Sequence, residues 1–165
     1  MINKKYLKLI RSRERSRSTN FIYNIIAKRI IDSIDLLSVN FQNILGLGNN
    51  DDVINDYLQK KFIHANFSIV DIIDIKEIKK NNLKYKKVDL DNISIGNKKY
   101  DLIYSNLLIH LSDNFDNILK KILSHLNNNS FFIAAIPDVQ NAYQLVNSLY
   151  KTDLFLYDGA YKRIN

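Results

Sequence analysis

Short apolar segments that alternate with segments of helical period constrain the fold of this 165-residue chain more than any other feature. Residues 43–48, 100–105 and 131–136 are nearly continuous apolar runs, and each is shorter than a typical core helix. Such runs are typical of strands buried on both faces, which occur in parallel sheets covered by helices. We therefore predict an α/β fold in which strands and helices alternate along the chain.

The remaining segments complete this alternation. Apolar residues recur at intervals of three and four through residues 21–37, which is the period of an amphipathic helix. Helices are predicted at residues 21–37, 53–58, 75–80, 114–126 and 140–150, and strands at residues 43–48, 67–70, 85–90, 100–105 and 131–136. This order predicts a Rossmann-like, doubly wound, mostly parallel sheet of about five strands with helices on both faces.

The net charge of +7 comes from the first part of the chain. Residues 1–29 contain nine Lys and Arg against one acidic residue, Glu14, whereas the rest of the chain contains fifteen basic and sixteen acidic residues. We predict a basic flexible arm at residues 1–20, a Rossmann-like domain at 21–150 and a C-terminal tail at 151–165. The arm could bind phosphates through counterion release. Because no aromatic residues interleave the charges of its most basic stretch, residues 11–18, we favour a solvated lead-in, and nucleic acid is not the expected partner.

Composition and spacing exclude several classes of site. The chain has no Cys, which excludes a disulfide scaffold, Cys-ligated zinc and a thiol nucleophile. His64, His110 and His125 do not have metal-ligand spacing, so no metal is expected. No local signature of a catalytic triad is present, and no catalytic residue is predicted. No apolar run approaches the roughly 20 residues that span a bilayer, so we expect no membrane span and a cytoplasmic location.

Polar and glycine residues at the ends of the predicted strands are the candidate functional residues, because ligands of open α/β sheets bind outside the carboxyl ends of the strands. Glycine after the first strand lets a ligand approach the backbone closely. Asp71, at the end of the second strand, could accept two hydrogen bonds from a ribose diol. Asp89 or its neighbour Leu90 could contact an adenine amino group. The candidate nucleoside-binding residues are Gly46, Gly48, Asn50, Asp71, Asp89, Leu90 and Ser105.

Each of these residues also has a purely structural interpretation. The Gly46–Leu47–Gly48 sequence could serve only the turn after the strand, and an aspartate at a strand end is often a turn former or a helix cap. His110, which follows the fourth strand, could position a substrate or simply form part of a pocket wall. The nucleoside site is favoured by the placement of the candidates on successive strands.

Two segments carry a resemblance to a known family. Residues 100–110, Tyr-Asp-Leu-Ile-Tyr-Ser-Asn-Leu-Leu-Ile-His, resemble the fourth strand of class I S-adenosylmethionine-dependent methyltransferases of the biotin-pathway (methyltransferase type 11) branch. Residues 143–149, Tyr-Gln-Leu-Val-Asn-Ser-Leu, resemble the Tyr-Glu-Leu-Arg-x-Ser-Leu helix of the related complex I assembly factors. The resemblance implies S-adenosylmethionine as cofactor and methyl transfer to a respiratory-complex subunit or to another protein or small-molecule acceptor.

The sequence departs from that family at the cofactor loop. The family motif Leu-Asp-x-Gly-x-Gly-x-Gly keeps only its first glycine, Gly48, whereas Gly46 stands at the acidic position and Asn50 and Asp52 replace the later glycines. The Asp52 charge would repel the methionine carboxylate of the cofactor. The chain also stops after about five predicted strands, which is C-terminally short for the family. The alternative is therefore a non-catalytic, truncated methyltransferase-like protein that acts as an assembly or interaction factor.

Overall fold

The computed structural model describes residues 3–15, 21–48, 53–74, 83–138, 143–157 and 159. The strands are β1 Asn43–Leu47, β2 Asn66–Asp71, β3 Leu83–Lys87, β4 Tyr100–Asn106 and β5 Leu126–Ala135, and a short 3₁₀ turn spans Ile109–Leu111. The helices are α1 Lys4–Arg15, α2 Phe21–Asp35, α3 Val53–Lys61, α4 Phe115–Ser124 and α5 Tyr143–Tyr157. The predicted helix at residues 75–80 lies outside the described residues.

The five strands form one parallel sheet in the order β3-β2-β1-β4-β5. The predicted α/β fold with a doubly wound parallel sheet is therefore confirmed. The chain runs outward from β1 to β3 and then returns to place β4 on the other side of β1. The connection therefore changes direction between β1 and β4, which is where sheets of this kind bind ligands.

Two apolar layers cover the sheet because side chains alternate between its faces along each strand. On one face, Leu45, Leu47 and Ile103 pack with Ile118 and Ile122 of α4. The other face packs against α2 and α3, through a cluster that includes Ala27, Ile30, Ile34, Ile44, Ile54, Leu58, Leu102 and Tyr104. Helices thus lie on both faces, as predicted.

The two ends of the chain differ from the sequence prediction. Residues expected to be a flexible arm include the helix α1, and Arg11 within it is buried. Residues 151–157, which were assigned to the tail, continue α5. The division into an arm, a domain and a tail otherwise stays a prediction.

Strand β5 is longer than predicted, because it begins at Leu126 where the sequence indicated the end of a helix. Its pairing with β4 is irregular between Tyr100 and Leu102. Within the extra length, Asn129 adopts a φ of 59°, in the left-handed region where asparagine is tolerated. Apolar periodicity did not identify this segment because its first residues, Leu126–Asn127–Asn128–Asn129, contain only one apolar side chain.

In the part of the chain that the structure describes, no helix is both long and apolar enough to cross a membrane.

Candidate functional site at the carboxyl ends of the strands

The pairing register brings the carboxyl ends of three strands together. Leu47 of β1 lies opposite Val70 of β2 on one side and Ser105 of β4 on the other. Gly48 follows directly and donates its backbone N–H to the carbonyl of Val70 at 2.8 Å. Its φ of 89° lies in the region that favours glycine, so glycine is required at this turn.

Asp71 ends β2 beside this turn, and its side chain is completely buried. Its Oδ1 accepts hydrogen bonds from the backbone N–H of Ile72 at 2.6 Å and from Arg11 Nε at 2.9 Å. Its Oδ2 accepts a longer hydrogen bond from Arg11 Nη2, at 3.4 Å. The predicted ribose-binding carboxylate is therefore present at the expected edge of the sheet, and it forms an ion pair with helix α1.

Arg11 also contacts the other two strand ends. Its Nη1 donates to the backbone carbonyl of Leu107, which follows β4, at 3.3 Å. Its Nη2 lies 2.7 Å from the position that a Cβ on Gly48 would occupy. The guanidinium therefore lies between the ends of β1, β2 and β4. The sequence prediction missed Arg11, although the spacing of Leu7, Ile10 and Arg11 matches one face of a helix.

Asp89 and Leu90 lie in the loop after β3. Lys4 Nζ contacts the two carboxylate oxygens of Asp89 at 3.1 and 3.3 Å and Asp91 Oδ2 at 2.6 Å. These contacts, with Asp91 as the larger cause, raise the pKa of Lys4, whereas the Lys4 hydrogen bond lowers the pKa of Asp91. Leu90 is buried in the core. Helix α1 therefore contacts this loop as well as Asp71.

Gly46 lies one residue before the end of β1, on the face that packs against α2 and α3. A Cβ on Gly46 would lie 2.5 Å from the hydroxyl oxygen of Tyr104, whose hydroxyl donates to Asn55 Oδ1 on α3. The missing side chain therefore makes room for Tyr104 in the core beneath α2 and α3. This contact gives Gly46 a packing role, and its role in close ligand approach stays a prediction.

The other predicted residues have mixed placements. Ser105 is buried at the end of β4, and its Oγ has no hydrogen-bond partner among the residues that the structure describes. Asn50 and Asp52 lie outside the described residues. The structure therefore brings Gly48, Asp71 and Ser105 to adjacent strand ends, with Asp89 and Leu90 in the loop one strand further along the sheet.

A second polar group lies near the end of β4. His110, in the 3₁₀ turn, lines a cavity of about 230 Å³ together with Arg11, Tyr23 and Pro137. Burial, and secondarily the charge of Arg11, lowers the pKa of His110 below its ordinary value of 6.5. Both causes favour the neutral form of the His110 imidazole. Its Nδ1 is buried without a hydrogen-bond partner among the described residues.

The three histidines do not form a common site. His110 follows β4 at the carboxyl end of the sheet, whereas His64 precedes β2 and His125 precedes β5 at the opposite end. Among the described residues, no group of three or more His, Cys, Asp or Glu could hold a metal ion.

Several solved structures with a similar fold are methyltransferases. The plantazolicin methyltransferase BpumL, in complex with a monoazolic desmethylPZN analog and SAH, matches with a TM-score of 0.63 and 22% identity, over 89% of this chain and 60% of that chain. Coclaurine N-methyltransferase bound to N-methylheliamine and SAH matches with a TM-score of 0.53 and 14% identity, over 72% of this chain and 37% of that chain.

A third similar structure contains two proteins. It is the complex between the Haloferax volcanii Trm112 methyltransferase activator and a putative methyltransferase, with a TM-score of 0.54 and 14% identity over 69% of this chain and 58% of that chain. No protein-family model matches the sequence, and no curated protein matches it significantly. The chain therefore has a class I methyltransferase-like fold and spans between 37% and 60% of the length of these three matched chains, which is less than two thirds of each.

Proposed function

We propose that this chain is an S-adenosylmethionine-binding, methyltransferase-like domain. The observation that carries this proposal is the meeting of Gly48, with its positive φ, and the buried carboxylate of Asp71 at the point where the sheet changes direction. Fold similarity to structures that contain S-adenosylhomocysteine (SAH), the demethylated product of this cofactor, supports the same ligand class.

The residue types at this edge suit a nucleoside. The Asp71 carboxylate would accept hydrogen bonds from the two ribose hydroxyls, and Gly48 would let the ligand approach the backbone because it has no Cβ. Asp89 or the adjacent backbone at Leu90 would contact the adenine amino group. The cofactor, when bound, supplies an activated methyl group. The protein then has mainly to orient the acceptor and exclude water.

The acceptor belongs to the finer part of the proposal. We propose a respiratory-complex subunit or another protein or small-molecule acceptor, as the resemblance of residues 143–149 to the complex I assembly factors implies. A protein substrate or assembly partner is supported by the exposed apolar side chains of α5, which include Tyr143, Tyr150, Leu154 and Phe155. A cytoplasmic location and the absence of a nucleic-acid partner also stay predictions.

The second candidate is a non-catalytic methyltransferase-like protein that acts as an assembly or interaction factor. The Arg11–Asp71 pair favours it, because a guanidinium hydrogen-bonds the carboxylate that the cofactor would need. Asp52 in the sequence of the cofactor loop favours it as well. This candidate predicts a stable fold that is indifferent to the cofactor.

Calorimetric titration with SAH separates the two candidates. If Asp71 binds the ribose, SAH should bind at least about tenfold more tightly than its 2′,3′-dideoxy analogue, because only SAH has the hydroxyl donors. The Asp71→Asn variant should lose this preference, and the matched variant Asp32→Asn, at an exposed position on α2, should keep it. No SAH binding at about 1 mM, in either the intact chain or an Arg11→Gln variant, would contradict the proposal.

The cofactor loop offers an independent test. Replacing Asp52 with Gly removes a negative charge from the sequence position that faces the methionine carboxylate in the resembling family. At an effective dielectric of about 20, two charges about 4 Å apart repel by about 4 kcal/mol. The Asp52→Gly variant should therefore bind SAH more tightly than the intact chain, by roughly one to three orders of magnitude. Unchanged affinity would mean that this charge does not limit binding.

A further inference from the structure

Helix α1 places two cations over the predicted nucleoside site. Lys4 and Arg11 lie about two helical turns apart and therefore on one face of α1, with Leu7 between them. Arg11 pairs with Asp71 at the end of β2, and Lys4 contacts Asp89 in the loop after β3. Leu7 packs against the apolar layer beneath. The two carboxylates that we assign to the nucleoside are thus both engaged by the same helix.

Arg11 uses the hydrogen-bonding capacity that a ribose diol would need. Both carboxylate oxygens of Asp71 accept from the guanidinium, and Oδ1 also accepts from the backbone N–H of Ile72. Arg11 and Asp71 side chains are only 2% and 0% exposed, so little room remains for further donors. A ribose could reach these oxygens only after Arg11 has moved.

Gly48 leads to the same conclusion. In the predicted site its missing side chain admits the ligand, but in the structure Arg11 Nη2 lies 2.7 Å from the position of a Cβ there. The guanidinium therefore occupies the space that Gly48 leaves open. Its further hydrogen bond to the carbonyl of Leu107 holds it between the strand ends.

The volume beneath α1 is too small for the ligand. The space bounded by Lys4, Leu7, Ile72, Asp89 and Leu90 measures about 20 Å³. That volume suits about one water molecule. Pockets for small ligands and cofactors usually measure about 300–1,000 Å³. While α1 is docked, this space does not admit a nucleoside between α1 and the loop that contains Asp89.

We propose that α1 is an internal competitor for the cofactor: Arg11 and Lys4 occupy the carboxylates of Asp71 and Asp89, and the cofactor binds only when α1 leaves the sheet. This inference rests on the proposed function, because it concerns the same site. The apparent affinity of the intact chain is then the affinity of the open form multiplied by the fraction of molecules that are open. A partner or substrate that binds α1 would raise cofactor affinity by the same route.

Titration of variants of the full chain with SAH tests the competition. Arg11→Gln removes the ion pair and should raise SAH affinity by about tenfold or more, as the open fraction increases. Lys5→Gln removes the same charge from an exposed position of the same helix and should change affinity by less than about twofold. If Arg11→Gln binds SAH equally or more weakly than the intact chain, the inference is wrong while the proposed function stands. If none of the variants binds SAH, both fail.

A second variant covers the case in which Arg11→Gln does not fold. Leu7→Asp should undock α1 by placing a charge against the apolar layer, without changing Arg11 or Asp71. It should raise SAH affinity in the same direction. Unchanged affinity in a folded Leu7→Asp variant would contradict the inference.

Hydrogen exchange on the unmodified chain gives a readout that needs no variant. If α1 is displaced, SAH should speed exchange of the α1 amides while it slows exchange near the ends of β1 and β2. Slower exchange in α1 would mean that the helix closes over the bound cofactor instead of competing with it, which would overturn the proposal.

Discussion

The two ends of helix α1 hold the sheet in different ways. At one end, Arg11 and Asp71 form a buried pair with side-chain exposures of 2% and 0%, and hydrogen bonds to Ile72 and Leu107 surround it. At the other end, Lys4 and Asp89 are 46% and 48% exposed. Exposed pairs contribute little because water and salt screen them. Burial, rather than the number of ion pairs, therefore determines which end keeps α1 docked.

Removing the buried cation should have the largest effect. Arg11→Ala removes the guanidinium that pairs with the buried carboxylate of Asp71, and we expect a loss of about 3 kcal/mol in the free energy of unfolding. The loss should lie at the low end of the usual range because Asp71 regains water if α1 leaves the sheet. Urea denaturation measures it, with Lys5→Ala as the control. A loss similar to that of the control would show that both ends of α1 are equally weak.

Gly48→Ala should have the next largest effect, because it combines backbone strain with a contact to Arg11. We expect a destabilisation of about 2 kcal/mol. Gly96→Ala is the matched control, since Gly96 has a φ of 82° but no heavy atom within 4 Å of an added Cβ. Its cost should be the strain alone, about 1 kcal/mol. Equal losses in urea denaturation would mean that neither Arg11 nor Leu108, whose Cβ lies 3.1 Å from the added atom, resists the extra methyl group.

Acid should weaken the exposed end of α1 by a smaller amount. The hydrogen bond from Lys4 is the largest influence on the pKa of Asp91 and lowers it. Burial raises this pKa, whereas hydrogen bonds from Ser112 and the backbone of Asp113 lower it further, so that the net shift is downward from its ordinary value of 3.8. A carboxylate whose pKa is lower in the folded state than in the unfolded state stabilises the fold at pH values above its pKa in the unfolded state. This contribution is lost as the pH falls through its pKa in the folded state. The stability difference between the intact chain and Asp91→Asn should therefore persist above pH 4 and shrink below it. A difference that is constant down to pH 2.5 in urea denaturation would contradict this assignment.

The pKa of His110 should respond to the removal of Arg11, at the buried end of α1, and not to the removal of Lys4 at the exposed end. We expect this to be the smallest of the four effects. Burial lowers the pKa of His110, and the charge of Arg11 lowers it further. The Arg11→Gln variant should therefore show a higher His110 pKa in an NMR titration, whereas Lys4→Gln should leave it unchanged. Equal shifts in both variants would mean that undocking of α1, rather than the Arg11 charge, changes the pKa.

Much of the sheet could be predicted from the sequence, because most of its strands are nearly continuous apolar runs with recognisable ends. Residues 100–105, for example, are found within β4 Tyr100–Asn106. Strand β3 Leu83–Lys87 was located less accurately, because Lys84, Lys86 and Lys87 interrupt its apolar pattern at the edge of the sheet. An edge strand needs fewer apolar residues, because its outer edge has no neighbouring strand and is open to solvent. Strand periodicity therefore predicts the centre of such a sheet better than its edges.

The site was predictable in part for a similar reason. Asp71 and Gly48 could be assigned because each directly follows an apolar strand, and parallel strands bring such positions to one edge. The packing role of Gly46 could not be predicted, because the Tyr104 side chain next to it comes from a different strand, β4. Arg11 was missed because it lies in a strongly basic segment where its neighbours are exposed, so composition did not distinguish it.

By itself, the sequence determined the alternation of strands and helices, the edge of the sheet where polar residues collect, and the concentration of positive charge in the first residues. These are local properties, since each depends on the spacing of residues along a short segment. Only the tertiary structure decided that one of those charges lies against Asp71, sixty positions away in the chain. That contact depends on how α1 packs across the strand ends, and a local sequence pattern carries no information about such distant pairing.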